Sequence, residues 1–145
     1  MLVRLLYASR AVETLDEKLI EAIVDQSRQN NAEHGITGIL CAHPKNAIFL
    51  QVIEGARASV NWLYGNIVRD PRHRDVLLLD YSEIEERRFA GWRMGSIDLN
   101  KVNLSTILRY SEKAILDPYT MTGRGALALV EELASSAAIV SRDGR

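Results

Sequence analysis

The sequence predicts an α+β domain built on a mixed five-stranded sheet, with two helices on one face and a C-terminal helical extension on the other. Three observations carry this expectation. Apolar periodicity alternates between strand-like and helix-like spacing in the order β-α-β-β-α-β-β. Cap and turn signals separate the segments. The 145 residues contain no internal repeat, low-complexity run or long linker, and the length suits one domain with one real core.

Leu2 to Ser9 reads as the first strand, with Val3, Leu5 and Tyr7 on one face and Arg4, Leu6 and Ala8 on the other. Thr14-Leu15-Asp16-Glu17 matches a capping box, and the helix it opens runs to about Asn31. Leu15, Leu19 and Ile23, joined by Ile20 and Val24, form its sheet-facing stripe, which Ser27 and then Asn30 or Asn31 continue. Gly35 ends that pattern. Ile36 to Ala42 and Ala47 to Glu54 form a hairpin turned by His43-Pro44-Lys45-Asn46. Val60, Leu63, Tyr64 and Ile67 predict a second core-facing helix, stopped by Asp70-Pro71. Val76 to Tyr81 is a fourth strand, and Trp92 to Ile97 a fifth with Trp92, Met94 and Ser96 on one face. Right-handed crossovers then place both helices on one face, a ferredoxin-like arrangement with an extra strand. Helical patterns at about 104–116 and 126–140, separated by Asp117-Pro118 and Gly123, supply a cover for the other face. Residues 1–100 are expected to form the functional domain, and 101–145 a two-helix extension packed on its sheet rather than a separate domain.

Composition excludes several function classes. With 18 basic against 19 acidic side chains, the broad basic field of a nucleic-acid binder is missing. No apolar run approaches the ~18 residues of a membrane span, so no membrane partner is expected. The lone Cys41 has no intrachain partner and offers no metal framework, which points to a reducing, cytoplasmic setting.

The candidate chemistry lies in polar residues at positions predicted to be buried. Gln51 sits inside the apolar strand Ile48-Phe49-Leu50-Gln51-Val52-Ile53, where an unpaired amide costs about 1–3 kcal/mol. If the first and third strands are neighbours, the Tyr7 phenol can face it. Taken singly, each is more simply a satisfied core polar group, Asn30-Asn31 a helix C-cap and Asp70-Pro71-Arg72-His73 a turn with solvated charges. Taken together they outline a groove between the two helices. Amide and guanidinium groups there suit the carbonyl and imide edge of a flat heterocycle, and Ile23 and Ile67 suit its faces.

These residues resemble one family, the BLUF domain (blue-light sensing using FAD). The resemblance is carried by Arg4-Leu5-Leu6-Tyr7-Ala8-Ser9, Asn31-x-x-x-Gly35-Ile36-Thr37-Gly38, Phe49-Leu50-Gln51-Val52-Ile53-Glu54-Gly55, Asp70-Pro71-Arg72-His73 and Arg88-Phe89-x-x-Trp92-x-Met94, in family order over about the first hundred residues. The tail resembles the extension of short, stand-alone members, without an attached enzymatic output domain. The resemblance implies a non-enzymatic photoreceptor holding FAD non-covalently, with FMN as the alternative flavin.

By that resemblance Tyr7 is the photochemical electron and proton donor, and Gln51 the amide between it and the N5/C4-carbonyl edge. Asn31, with Asn30 beside it, serves the C4 carbonyl side and Arg72 the C2 carbonyl region; Asp70 and His73 line the pocket. Ser27 supports the network from the helix. Trp92 and Met94, on a fifth strand adjoining the third, respond to Gln51. Asn66 stands where some short relatives carry Arg, so the resemblance leaves FAD against FMN open. It also implies self-association into a homo-oligomer and signalling to a separate protein, such as a response-regulator-like protein or a cyclic-di-GMP phosphodiesterase. Two other classes are carried beside it: a small acylphosphatase-like hydrolase, with Cys41 and His43 imagined as a nucleophile pair, and a ligand-free interaction adaptor. A LOV-type sensor requires a cysteine near the flavin, and Cys41 lies outside any such motif.

Overall fold

The computed structural model describes residues 1–136 and 139–141. Its strands are β1 (Leu2–Ala11), β2 (Thr37–His43), β3 (Ile48–Ala56), β4 (His73–Ile84), β5 (Gly95–Asp98) and β6 (Ile139–Ser141), and its helices α1 (Glu17–His34), α2 (Arg57–Arg69), α3 (Leu104–Leu108) and α4 (Gly123–Ala134). Short 3-10 turns follow β2, β5 and, at Pro118–Thr120, α3. The sheet runs β4-β1-β3-β2-β5-β6. All neighbours are antiparallel except β2 and β5, which are parallel. The expected α+β class and mixed five-stranded sheet are therefore present, and β6 adds a sixth, three-residue strand at one edge.

The alternation of β1 divides two cores. Val3, Leu5 and Tyr7 join Phe49, Ile53 and Met94 under α1 and α2, while Leu6 and Ala8 join Leu50, Val52 and Ile97 under Ile107, Leu116, Leu129, Val130 and Leu133 of the tail. Each strand of the central hairpin is thus buried on both faces, which explains its nearly unbroken apolar run.

Local signals account for the helix limits, with three departures from expectation. Asp16, not Thr14, caps α1: its carboxylate accepts from Leu19 N–H at 2.8 Å. That register makes buried Leu15 the residue before the cap and sets it against Ile20 in the same core, a hydrophobic staple that a Thr14 cap would forgo. At the other end Gly35 takes φ 65°, where a side chain is strained, and its N–H returns to Asn31 O. The second departure is α4, which stops at Ala134 rather than about Val140. Ser135 and Ser136 turn their hydroxyls onto Glu132 O and Leu133 O, competing with the helical ladder. Ile139 and Ser141 then pair with Ile97 and Ser96 of β5. The expected helix from 104 likewise ends early, at Leu108.

One polar cluster holds the β4–β5 connection onto β3. Glu54, fully buried, accepts from Arg4 Nε at 2.9 Å and from the backbone N–H groups of Arg88 and Phe89 at 3.0 and 2.9 Å. Arg4 and Glu54 are direct cross-strand partners on the tail-facing side of the sheet.

Candidate functional site

The cross-strand register sets the centre of the site. Gln51 lies opposite Tyr7 on one side and Leu40 on the other, so phenol and carboxamide emerge from adjacent strands on the face under α1 and α2. Tyr7 Oη donates to Gln51 Oε1. Gln51 Nε2 approaches Met94 Sδ at 3.3 Å. Tyr7 is almost fully buried and Gln51 is 5 % exposed, so each has exchanged water for these partners. Burial, reinforced by Tyr64 and Asp70, raises the phenol far above its ordinary range and keeps it protonated. Tyr64, from α2, tilts against the Tyr7 ring with centroids 5.8 Å apart.

Tyr7 and Gln51 form the floor of a cleft of about 240 Å³ between α1 and α2. Ile23, Ser27, Asn30 and Asn31 enter it from α1, Ile67 from α2, and Asp70, Arg72 and His73 from the segment after α2. The sequence-derived pocket residues are therefore brought together around one opening. Gln26, Leu40, Phe49, Trp62 and Leu63 line it as well, without having been assigned to it from the sequence, and so does Asn66, which the family resemblance had singled out. Helical spacing offered a signal for some of them: Gln26 is one turn before Asn30, and Leu63 and Asn66 are one turn before Ile67 and Asp70.

Among the described residues, Asn31 is the one cleft group with an orphaned buried atom. Its Nδ2 donates to Arg93 O at 3.2 Å, and its Oδ1 is buried and accepts nothing. The cleft thus offers an acceptor that a ligand N–H could satisfy. Beyond α2, Arg72 grips Asp70 through Nε and Nη2, the latter at 2.7 Å, and through its backbone N–H at 2.9 Å. Those hydrogen bonds hold the Asp70 carboxyl below the usual carboxylate range. His73 Nδ1 lies 2.9 Å from Ser9 Oγ and its ring tilts on Phe49. Burial lowers the His73 imidazole below its ordinary 6.5, with Asp70 opposing the shift. An imidazole depressed on folding favours the native state fully above pH 6.5, and that contribution is lost as pH falls toward the lowered value. Thermal stability should therefore decline as pH drops below about 6.5, and a His73→Gln variant should show a flatter profile over that interval.

Two expectations are corrected. Trp92 does not share a face with Met94. Residues 89–92 form a turn closed by Trp92 N–H on Phe89 O, and β5 begins only at Gly95, so strand alternation does not reach back to Trp92. Its ring packs against the tail-side core and lies across Gly95, where a Cβ would come within 2.1 Å of it. β5 adjoins β2, not β3; Gln51 reaches Met94 by side chain across β2. Ser27, expected to support the network from the helix, lines the cleft, and its Oγ donates to Ile23 O at 2.8 Å.

Met94 is held from the helix side. Its carbonyl accepts from Arg28 Nε at 3.2 Å, and the carbonyls of Trp92 and Arg93 accept from Gly38 N–H and Asn31 Nδ2. Met94→Leu keeps the apolar volume and deletes the sulfur acceptor. The Gln51 orientation loses about 0.5–1.5 kcal/mol of support, measurable as a fall of that size in the free energy of urea unfolding.

Cys41 lies on the opposite, tail-facing side of the sheet, and burial pushes its thiol up to about 12. His43 instead caps the turn after β2, accepting from Asn46 N–H at 3.3 Å. Neither a nucleophile pair nor a cysteine facing the cleft exists here.

Comparison with known proteins gives the family and the fold. A family model described as "Sensors of blue-light using FAD" matches residues 2–95. The chain is 34% identical over 96 residues to photoactivated adenylate cyclase subunit beta of Euglena longa, a match covering 66% of this chain and 11% of that protein. The chain thus spans about a tenth of that curated relative's length. Among solved structures, BlsA in its photo-activated state superposes with a TM-score of 0.83 at 28% identity, covering 95% of this chain and 98% of that one. Klebsiella pneumoniae BlrP1, solved with FMN and cyclic diGMP, gives a TM-score of 0.64 at 35% identity over 77% of this chain and 31% of its own.

Proposed function

The chain belongs to the BLUF family of blue-light sensors using FAD, and from that membership we propose that light is converted here into a change of Gln51 hydrogen bonding driven from Tyr7. The domain is a photosensor, not an enzyme. The observation that carries the proposal is the continuous chain from Tyr7 Oη through Gln51 to Met94 Sδ along the cleft floor.

The residues present fit a flavin. Asn31 Oδ1, buried and accepting nothing, suits the imide N–H of the ring, and this favours the imide over the C4 carbonyl as its partner. Arg72 keeps guanidinium donors beyond those spent on Asp70, which suit a ring carbonyl. Ile23 and Ile67 offer apolar walls. Asn30 and Asn66 are exposed at the rim, where a polar side chain can leave.

Bound flavin supplies the blue-absorbing chromophore and, when excited, a one-electron oxidant for Tyr7, to which the electron returns on recombination. The protein's own part is proton placement. A phenol kept protonated by burial gives up its proton only as it is oxidised, and the acceptor already on that oxygen is Gln51 Oε1. Gln51 presents a carbonyl on one side and N–H donors on the other, so rotation or tautomerisation exchanges donor and acceptor at little steric cost. Met94 then loses the N–H it faces, and the backbone run from Trp92 to Met94, which links cleft to tail core, is the element biased by that loss. With a flavin bound, an N–H of Gln51 turned toward its carbonyl edge would shift the visible band slightly to the red.

Output passes to a separate protein. The likeness to a light-regulated adenylate cyclase subunit and to BlrP1 with cyclic diGMP supports effectors of nucleotide second messengers, with a response-regulator-like protein as the other class. Exposed Leu104, Leu108 and Ile115 on the tail support self-association. The purified protein should be yellow, and blue light should displace its visible band reversibly; a colourless protein, or a band indifferent to light, refutes the proposal.

A further inference from the structure

A second opening lies along another side of α1, between that helix and the parallel strands β2 and β5. It is a groove of about 440 Å³, and none of its lining residues is shared with the cleft. Val24, Ala42 and half-buried Ile20 give it an apolar floor. Glu17, Glu21 and Asp25 stand in one row along α1, four residues apart, and Asp98 lines the other wall from the end of β5. Against these four carboxylates the groove has two cations, Arg28 and Lys101. Arg28 is committed elsewhere: its Nη1 lies 3.8 Å from Asp25 and its Nε donates to Met94 O at 3.2 Å. Among the described residues no cation lies within ion-pair distance of Glu17, Glu21 or Asp98. The helix dipole accounts for Glu17 alone, since its effect fades within the first turn. Ser96 is the second signal. It lines the groove at 7% exposure, and among the described residues its Oγ has no hydrogen-bond partner. Valine, which a buried strand position favours, fills nearly the same space without stranding a hydroxyl.

We propose that this groove docks a cationic amphipathic helix of a partner protein, and that Arg28 couples its occupancy to Met94. The carboxylate row runs about 12 Å from Glu17 to Asp25, which two turns of a partner helix match. Its Lys or Arg side chains at i and i+4 meet the row, its apolar side chains cover the floor, and a polar one serves Ser96 Oγ. A cation arriving at Asp25 competes with Arg28 for that carboxylate, and Arg28 is the side chain that holds the Met94 carbonyl. Docking and the placement of β5 are therefore linked, and the link is reciprocal. The inference gives the separate output protein a site on this chain. Docking itself stands apart from the flavin reading, and its dependence on light rests on that reading.

The probe is a rhodamine-labelled helical peptide of leucine and lysine, its lysines at i and i+4 beside a leucine stripe, titrated with the whole chain and followed by fluorescence anisotropy. Glu17→Lys with Glu21→Lys should weaken dark binding about tenfold by turning attraction into repulsion. Glu85→Lys with Glu86→Lys, exposed acids outside the groove, should leave it unchanged. Ser96→Ala should cost about threefold, and a serine-lysine peptide of equal charge should bind about tenfold more weakly for want of its leucines. Far-ultraviolet circular dichroism checks that each variant is folded. Equal losses from the two charge reversals, or equal binding of the leucine-free peptide, means general attraction to an acidic surface and overturns the docking site. Self-association that disappears in the Glu17→Lys, Glu21→Lys protein, measured by sedimentation without peptide, assigns the groove to a second copy and overturns it too. Blue light should change the peptide's affinity about fivefold, and Arg28→Lys, which keeps the charge and lacks the guanidinium Nε, should abolish that difference. Equal affinity in dark and light, or a difference that persists in Arg28→Lys, overturns the coupling. A colourless protein that passes the dark tests refutes the flavin reading and leaves the docking site standing.

Discussion

Tyr7→Phe gives a protein that remains yellow and shows no light-induced displacement of its visible band. Phe retains the ring that packs against Tyr64 and the surrounding core, so the cleft keeps its shape. What is lost is the phenolic hydroxyl, and with it both the hydrogen bond to Gln51 Oε1 and the proton that accompanies oxidation. The buried amide oxygen is then left unsatisfied, at a cost of about 1–3 kcal/mol in stability. A purely structural Tyr7 predicts only that modest destabilisation, with the photoresponse intact. Absorption spectra before and after blue illumination, with denaturant unfolding alongside, separate the two roles.

The largest effect on stability is expected at Glu54. Glu54→Ala strands the Arg4 guanidinium, only 5% exposed, and frees the N–H groups of Arg88 and Phe89. Removing one partner of a buried ion pair costs about 3–5 kcal/mol, a large share of the ~5–15 kcal/mol that holds a domain together. Arg88 also reaches Glu131 on α4, so the β4–β5 connection and the tail helix should loosen together. Urea unfolding measures the loss. The double replacement Arg4→Met with Glu54→Leu should recover much of it, since an apolar pair leaves no buried charge. A loss below about 1 kcal/mol for Glu54→Ala would mean that water reaches the pair.

The topology was legible because each segment keeps its period over a full element, and the pairing of Tyr7 with Gln51 followed from strand adjacency. The pocket residues were legible because polar side chains stood where apolar ones were due. Other features depend on distant partners. Arg4 and Glu54 look like ordinary outward-facing charges on alternating strands, and it is the β4–β5 connection, through the backbone of Arg88 and Phe89, that closes over Glu54. Trp92 was placed on the wrong face because a turn at residues 89–92 interrupts the alternation before β5 begins. Thr14 and Asp16 are comparable N-caps, and the burial of Leu15 decides between them. Trp62, exposed on α2, carries no burial signal, so its position on the cleft rim appears only once α1 lies beside it.

The switch itself is tested most directly by infrared difference spectroscopy, light minus dark, on protein carrying isotope in the glutamine side-chain amide. The expected spectrum contains amide bands that shift with the label, appear on illumination and vanish in the dark, and these are absent from Tyr7→Phe. A reversible visible shift with no label-sensitive band would contradict a carboxamide that changes partners.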